Sequence, residues 1–394
     1  MIYFVAKNIG LFGGAAVVAM DVADSFVQSG IDFKAVCSMY KVPEDKGERL
    51  SAVERLKMPY VPEKKDYPYS VNGRLRYYLK SLQNYLDRRA LKAQLRKNPP
   101  RLMIFNGYKP STMALINEYS NLCKTIHIVH VSPNYVESFE DFISLKELLD
   151  VYGEADALVF VSDECRKAWL EYDAIDERNA YYIPNCAKEE EAKDYLDRSK
   201  IDTRIKLGLK TESFYLVNVA GIKKRKGQDI LIEAAPELKK IAPNLEILMV
   251  GLGGGSFISE LEKRIDHHNM DFIHFLGHKT NAMEYVYASD LFVLPSRAEA
   301  FPLAILEAMI LETPVIGSDV DGVPEMIIPD QTGLLFESEN AGDLVQKFEK
   351  MYRNPKMRQE FAKNASKKYW SDFSKEQFTN RYLNLINKCD QVKN

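Results

Sequence analysis

Short apolar runs recur along the first half of the chain, at Ile2 to Ala6, Phe33 to Cys37, Leu102 to Phe105, Thr125 to Val131, Ala157 to Ser162 and Tyr181 to Ile183. Longer stretches of helical character separate them. The runs are mostly continuous rather than alternating, so both faces of each strand expect burial, as in a parallel sheet built from βαβ units. A second series follows at Phe214 to Val219, Leu245 to Val250, Phe272 to Leu276, Leu291 to Leu294, Pro314 to Ile316 and Gly333 to Phe336. The pattern predicts an α/β protein with two doubly wound halves of similar size.

Between the halves, after Pro184-Asn185, the stretch Lys188 to Lys206 is charge-dense, contains Glu189-Glu190-Glu191 and has no apolar periodicity. It reads as a linker. The expected division is a first domain over 1–190, a linker over 191–206, a second domain over 207–372 and a terminal helix over 373–394. The stretch Ala341 to Lys388 has no strand signal, and Trp370 and Phe373 mark a break between helices.

A length of 394 residues agrees with two or three domains at roughly 150 residues each. With 53 Lys+Arg against 56 Asp+Glu the net charge is -3, which fits neither a nucleic-acid binder nor a disordered acidic chain. Five scattered cysteines without a C-x-x-C pair indicate neither a disulfide framework nor a structural zinc site. No apolar run reaches the roughly 18 residues of a spanning helix, and no signal-type leader opens the sequence. A cytoplasmic protein is expected, with the inner membrane face as an additional location.

The strongest chemical signal is Pro295-Ser296-Arg297-Ala298-Glu299-Ala300-Phe301-Pro302-Leu303-Ala304-Ile305-Leu306-Glu307-Ala308-Met309. It follows a buried strand and opens a helix, with Pro302 suited to the first helical position. The N–H groups of Leu303, Ala304 and Ile305 would then face an anion such as a diphosphate at the positive end of the helix dipole. Glu299 lies before the helix and Glu307 more than one turn into it, so the pair suits opposite ends of one polyhydroxylated ligand. A solvated loop charge and an exposed helix position would produce the same spacing.

The basic turn Lys223-Lys224-Arg225-Lys226, after Val219-Ala220-Gly221 and before Gly227, suits phosphate neutralisation or a solvated loop. Gly251-Leu252-Gly253-Gly254-Gly255 imitates a dinucleotide fingerprint, but Ser256 breaks the spacing. Asp319-x-Asp321 is read as a loop pair and no metal is expected. In Lys124 to His130 the histidines 127 and 130 face opposite sides of a strand, and His130 is nearer the carboxyl end where such sheets place ligands.

Taken together these residues resemble the retaining glycosyltransferases of family 4, which have the GT-B fold. The resemblance runs through Lys226-Gly227, Phe275-Leu276-Gly277, Ala288-Ser289-Asp290, Leu294-Pro295-Ser296, Glu299 with Glu307-Ala308-Met309, Gly322-Val323-Pro324-Glu325 and Thr332-Gly333-Leu334-Leu335. In the first half it rests on Gly13-Gly14, His130, Ser162 and Pro184-Asn185. It implies two Rossmann-like domains facing across a cleft, with a last helix, preceded by Trp370, crossing back to the first.

The resemblance also implies a reaction: sugar transfer from a nucleotide diphosphate sugar, most simply a UDP-sugar, to an acceptor hydroxyl with retention. The setting would be bacterial surface polysaccharide or glycolipid synthesis. His130, Glu299 and Lys226 would be catalytic, and Gly13, Gly14, Gly221, Arg225, Lys226, Gly277, Glu299, Phe301, Leu303, Ala304 and Glu307 would bind the donor. Glu299 would hold the sugar, Glu307 the ribose and Lys226 the diphosphate, with no cofactor.

Three positions depart from the family pattern. Gly221 stands at the usual arginine of the basic turn, leaving Arg225 or Lys223 to supply that charge, while Glu312 and Cys186 replace glycines. The acceptor would be a saccharide or lipid-linked saccharide. The basic stretch 74–97, with Leu75, Leu79, Leu82, Leu86 and Ala90 as its apolar stripe and Tyr77, Tyr78 and Tyr85 beside it, would either pack on the first domain or also meet an anionic membrane. The competing readings are a non-hydrolysing sugar-nucleotide 2-epimerase and an inactive nucleotide-sugar-binding scaffold.

Overall fold

The structure is a computed structural model that describes residues 1–9, 14–40, 53–57, 87–108, 110–133, 136 and 144–391. It divides into two compact units, Met1–Pro184 with Phe378–Asn394, and Asn185–Gln377. The first carries a seven-stranded sheet of β1 (Ile2–Ile9), β2 (Phe33–Tyr40), β3 (Arg55–Lys57), β4 (Leu102–Asn106), β5 (Lys124–Val129), β6 (Ala157–Phe160) and β7 (Ala180–Tyr182), in the order β3-β2-β1-β4-β5-β6-β7. The second carries β8 (Phe214–Val219), β9 (Leu245–Val250), β10 (Ile273–Gly277), β11 (Leu291–Leu294), β12 (Val315–Ser318) and β13 (Leu334–Phe336), in the order β10-β9-β8-β11-β12-β13.

Neighbouring strands run parallel in both sheets. Residues 2–6 of β1 are wholly buried, as a central strand covered on both faces requires. Strand order reverses between β1 and β4 in one sheet and between β8 and β11 in the other. In each sheet taken by itself, the carboxyl ends of the strands at the switch point are where open α/β sheets place ligands. The short β3 lies outside the apolar runs, because an edge strand of three residues needs little hydrophobicity.

The stretch expected as a linker over 191–206 is helical and belongs to the second unit, as helices Glu189–Leu196 and Lys200–Lys206. Its buried face is partly polar, which hid it from a hydropathy reading. Ala192 and Tyr195 are buried, but so are Thr203 and Arg204. Arg204 donates to the carbonyls of Ala288, Thr211 and Ser213 and to Asp290 at 2.7 Å, so its burial is satisfied by hydrogen bonds. The three glutamates occupy the first turn, where the helix dipole favours negative charge.

A π-type segment, Tyr369–Phe373, separates helix Pro355–Lys368 from helix Lys375–Gln391. The latter carries Phe378, Tyr382, Leu385 and Ile386 at helical spacing, all buried. From Phe378 onward it is part of the first unit, where Thr379 donates to the Ser25 hydroxyl at 3.0 Å and Tyr382 meets the Phe26 ring edge-on. Of the basic stretch 74–97, residues 74–86, including all three tyrosines, lie outside the described residues. Residues 87–97 are helical, with Asp87, Leu91 and Leu95 buried and Ala90 exposed, so the packed stripe is shifted by one position from the one expected. Among the described residues no helix is long and apolar enough to cross a membrane.

Candidate active site

The two loops beside the second switch point, after β8 and β11, are stitched together. The basic turn forms a single 3-10 turn, Lys224–Lys226, ended by Gly227 in the left-handed region at φ 67°. A Cβ at Gly227 would stand 1.7 Å from the Pro295 carbonyl oxygen, so only glycine lets the loops approach this closely. The fully buried Gln228 side chain accepts from the Lys223 N–H at 3.4 Å and donates to the Gly221 carbonyl at 3.2 Å, fixing the start of the turn.

Glu299 is buried, with its side chain 7% exposed. It accepts from the Lys226 ammonium, from the Ser296 hydroxyl at 2.8 Å and from the Arg225 guanidinium at 3.4 Å. Burial pushes its carboxyl pKa up, but the Lys226 and Arg225 charges and the hydrogen bonds outweigh that and hold it below the ordinary carboxylate value. Its backbone is clamped as well: its N–H donates to Asp321 at 2.8 Å and its carbonyl accepts from the Gly322 N–H at 3.1 Å. Asp321 sits at φ 39°, a left-handed conformation uncommon for a non-glycine residue. Half of the Asp319-x-Asp321 pair is thus a backbone brace for Glu299.

Helix Leu303–Ile310 begins beside this cluster, and Pro302 is its N-cap rather than its first residue. No side chain caps it. The Ile305 N–H turns back to the Pro302 carbonyl at 3.1 Å, which removes Ile305 from the expected anion-binding set and leaves Leu303 and Ala304. Glu307 is half-buried in the second turn. Phe301 is packed instead of lining an open face: its ring meets Phe373 at 5.3 Å and its carbonyl accepts from Asn185 at 3.0 Å.

Gly277 ends β10, two strands from the switch point, at φ 66°. Gly221 has an ordinary backbone, and the nearest neighbour to an added Cβ is the Leu252 carbonyl at 3.6 Å. Space therefore does not explain the missing arginine there; the guanidinium that does reach Glu299 is Arg225 from one turn further on. Glu312 takes φ 51°, the left-handed helix-end geometry that normally selects glycine. Cys186 is buried.

In the first unit, His130 follows β5 and Asn106 ends β4. The His130 Nε2 lies 2.8 Å from the Asn106 Oδ1, while the Asn106 amide donates to the Ala15 carbonyl at 3.0 Å. Because a carbonyl can only accept, the second bond fixes the amide orientation, and Nε2 must then carry the imidazole proton. Nδ1 remains an acceptor. Burial lowers the His130 pKa to about 4, so the ring is neutral at pH 7. His127 is fully packed, stacked on Phe105 at 5.1 Å and edge-on to Tyr152, with its pKa lowered to about 3 by burial. Gly14 opens helix Gly14–Gln28, and Gly13 lies outside the described residues.

The sequence singles out the stretches that hold Ser296, Arg297 and Asp321 but not the supporting roles these residues play, and it does not mark Gln228 at all. Asp321 and Arg297 act through contacts between loops distant in sequence, whereas Ser296 reaches Glu299 three residues on and Gln228 reaches back to Lys223 and Gly221 within its own turn.

A family described as Glycosyltransferase Family 4 matches residues 12–191, and one described as Glycosyl transferases group 1 matches residues 199–368. Only 1–11, 192–198 and 369–394 fall outside the two. The two family matches, one on each half, mark the chain as a GT-B glycosyltransferase similar to family 4. Among relatives of this group, a D-inositol 3-phosphate glycosyltransferase from an Arthrobacter species is 30% identical over 169 residues, 42% of this chain and 40% of that protein. An N,N'-diacetylbacillosaminyl-diphospho-undecaprenol alpha-1,3-N-acetylgalactosaminyltransferase from Campylobacter jejuni is 32% identical over 126 residues, 32% of this chain and 33% of that one. The chain spans about two-fifths of the length of the curated relatives it matches first. The GT-B fold is shared with Anabaena Alr3699/HepE, solved in complex with UDP and glucose, at a TM-score of 0.74 and 18% identity over 98% of this chain and 99% of that one.

Proposed function

We propose that this chain transfers a sugar from a UDP-sugar to an acceptor hydroxyl with retention of anomeric configuration, in the assembly of a bacterial surface polysaccharide or glycolipid. The observation that carries the reading is the buried carboxylate Glu299 with Lys226 and Arg225 beside an uncapped helix start at a switch point. The bound UDP of the Anabaena structure and the lipid-linked acceptor in the name of the Campylobacter relative supply the donor and acceptor classes.

In this reading Lys226, Arg225 and the N–H groups of Leu303 and Ala304 receive the diphosphate, Glu299 the sugar hydroxyls and Glu307 the ribose. The bond from the anomeric carbon to the diphosphate oxygen breaks while the acceptor oxygen attacks from the same face. The acceptor proton passes to the departing diphosphate oxygen, so no protein nucleophile is required. Cations and helix N–H groups meet the developing negative charge in place of a divalent ion. His130, neutral and with Nδ1 as acceptor, orients a sugar hydroxyl.

The test is a thermal-shift screen of UDP, GDP and ADP, followed by incubation of the stabilising nucleotide's sugars with undecaprenyl-diphosphate-linked saccharides. The reading expects UDP to stabilise and the product to keep the donor's anomeric configuration by NMR. Stabilisation by no nucleotide sinks it, and conversion of UDP-GlcNAc without acceptor replaces it with epimerisation.

A further inference from the structure

The basic turn places four consecutive cations, Lys223 to Lys226, in a single turn. The facing loop brings in a fifth, Arg297. Like charges gathered this closely repel, so its presence beneath the turn needs a reason other than charge. Its hydrogen bonds supply one. The Arg297 guanidinium makes a bidentate pair with Asp229 at 2.9 and 2.8 Å, donates to Glu339 at 2.7 Å, and donates to the Lys224 carbonyl at 2.5 Å. Its backbone N–H donates to the Arg225 carbonyl at 2.8 Å. Two carboxylates therefore neutralise it, and its remaining donors hold two successive carbonyls of the turn.

The three loops it joins follow β8, β11 and β13, and one anchor is strained, since Glu339 takes φ 64°. A left-handed glutamate persists only where the surroundings enforce it. The Arg297 side chain is 22% exposed and that of Asp229 18%, so this pair is largely out of solvent, whereas Glu339 at 66% meets the guanidinium from the exposed side. No other side chain can do this work. A lysine ammonium cannot make the planar bidentate pair and reach Glu339 and the Lys224 carbonyl together.

We infer that Arg297 is a positioning residue for the diphosphate site: through Asp229 and the Lys224 and Arg225 carbonyls it sets where the Arg225 and Lys226 side chains leave the turn. The inference rests on the reading of that turn as the diphosphate site. It assigns Arg297 no contact with the donor.

Isothermal titration of wild type, Arg297→Lys and Asp229→Asn with UDP and with uridine tests it, with melting temperatures alongside. Arg297→Lys keeps the charge, and Asp229→Asn breaks the same pair from the other side. Both are expected to weaken UDP about tenfold, while uridine, which has no phosphate, binds as it does to wild type. Unchanged UDP affinity in Arg297→Lys overturns the inference. So does parallel loss of UDP and uridine, which marks general destabilisation. A wild-type protein that binds uridine and UDP equally, or neither, instead removes the diphosphate reading on which the inference stands.

Discussion

Glu299→Gln is expected to bind free UDP more tightly than wild type while transferring sugar more slowly. Roles assigned from the sequence, Glu299 to the sugar and Lys226 to the diphosphate, make UDP affinity indifferent to this change. The structure couples them. In the free protein the Lys226 ammonium and the Arg225 guanidinium both lie on the Glu299 carboxylate, which itself is buried. A diphosphate must compete with that carboxylate for the same two cations and bear its repulsion.

The magnitude follows from charge and distance. At about 7 Å and an effective dielectric of about 20, two unit charges repel by roughly 2 kcal/mol. Removing the carboxylate charge while keeping an oxygen for the Ser296 hydroxyl should recover about half of that or more, some five- to thirtyfold in affinity. The gain should fade as pH rises. Burial already pulls the Lys226 pKa below the ordinary lysine value, opposed chiefly by Glu299, so losing the carboxylate lets the ammonium deprotonate more readily. Isothermal titration at constant ionic strength measures the affinity, and turnover is followed by UDP release. UDP affinity equal to or below wild type would refute the competition argument.

Four further outcomes are expected. Glu307→Gln should weaken UDP by about 1.5 to 3 kcal/mol, the cost of a charge-assisted hydrogen bond, and calorimetry showing no loss would remove the ribose from its role. Transfer should persist in excess EDTA; abolition restored by manganese would return Asp319 and Asp321 to consideration as ligands. Glu312→Gly should stabilise the protein by about 1 kcal/mol in urea unfolding, since glycine relieves the left-handed strain at φ 51°, and a destabilised variant would contradict that. His127 is held neutral with its pKa lowered to about 3, so protons bind the unfolded chain first: stability is complete above about pH 6.5 and should fall by up to about 1.4 kcal/mol per pH unit from there toward pH 3, a slope that His127→Phe should reduce.

The fold was legible because buried parallel strands are written as continuous apolar runs. Strands such as Phe214–Val219 and Leu291–Leu294 coincide with theirs. What was illegible is polar burial. Arg204 looked like part of a solvated charge run because composition cannot show that four acceptors await its guanidinium. The site divides the same way. Gly227, Lys226 and Glu299 were visible because each motif lies in one stretch of sequence. The supporting roles of Asp321, Arg297 and Gln228 were not, because a brace is defined by what it touches, and Asp321 reaches a residue 22 positions away.

The two sheets repeat one topology but differ in the chemistry at their switch points. At the first, a neutral amide and a neutral imidazole meet, with the His130 pKa lowered to about 4 so that no charge appears near pH 7. At the second, cations and an uncapped helix start surround one carboxylate. An anionic ligand gains electrostatic energy only at the second, and a neutral polyol finds a fixed acceptor at His130 Nδ1 in the first. This contrast supports assigning the nucleotide to the second unit and a hydroxyl to His130. It also gives His130→Gln a defined signature. Glutamine keeps a neutral hydrogen-bonding group but loses the ring that Asn106 orients, so turnover should fall by about 10- to 1000-fold, the range of positioning and electrostatic effects, with UDP affinity and melting temperature near wild type. Full turnover, or a loss of UDP binding equal to the loss of rate, would leave His130 as a structural partner of Asn106.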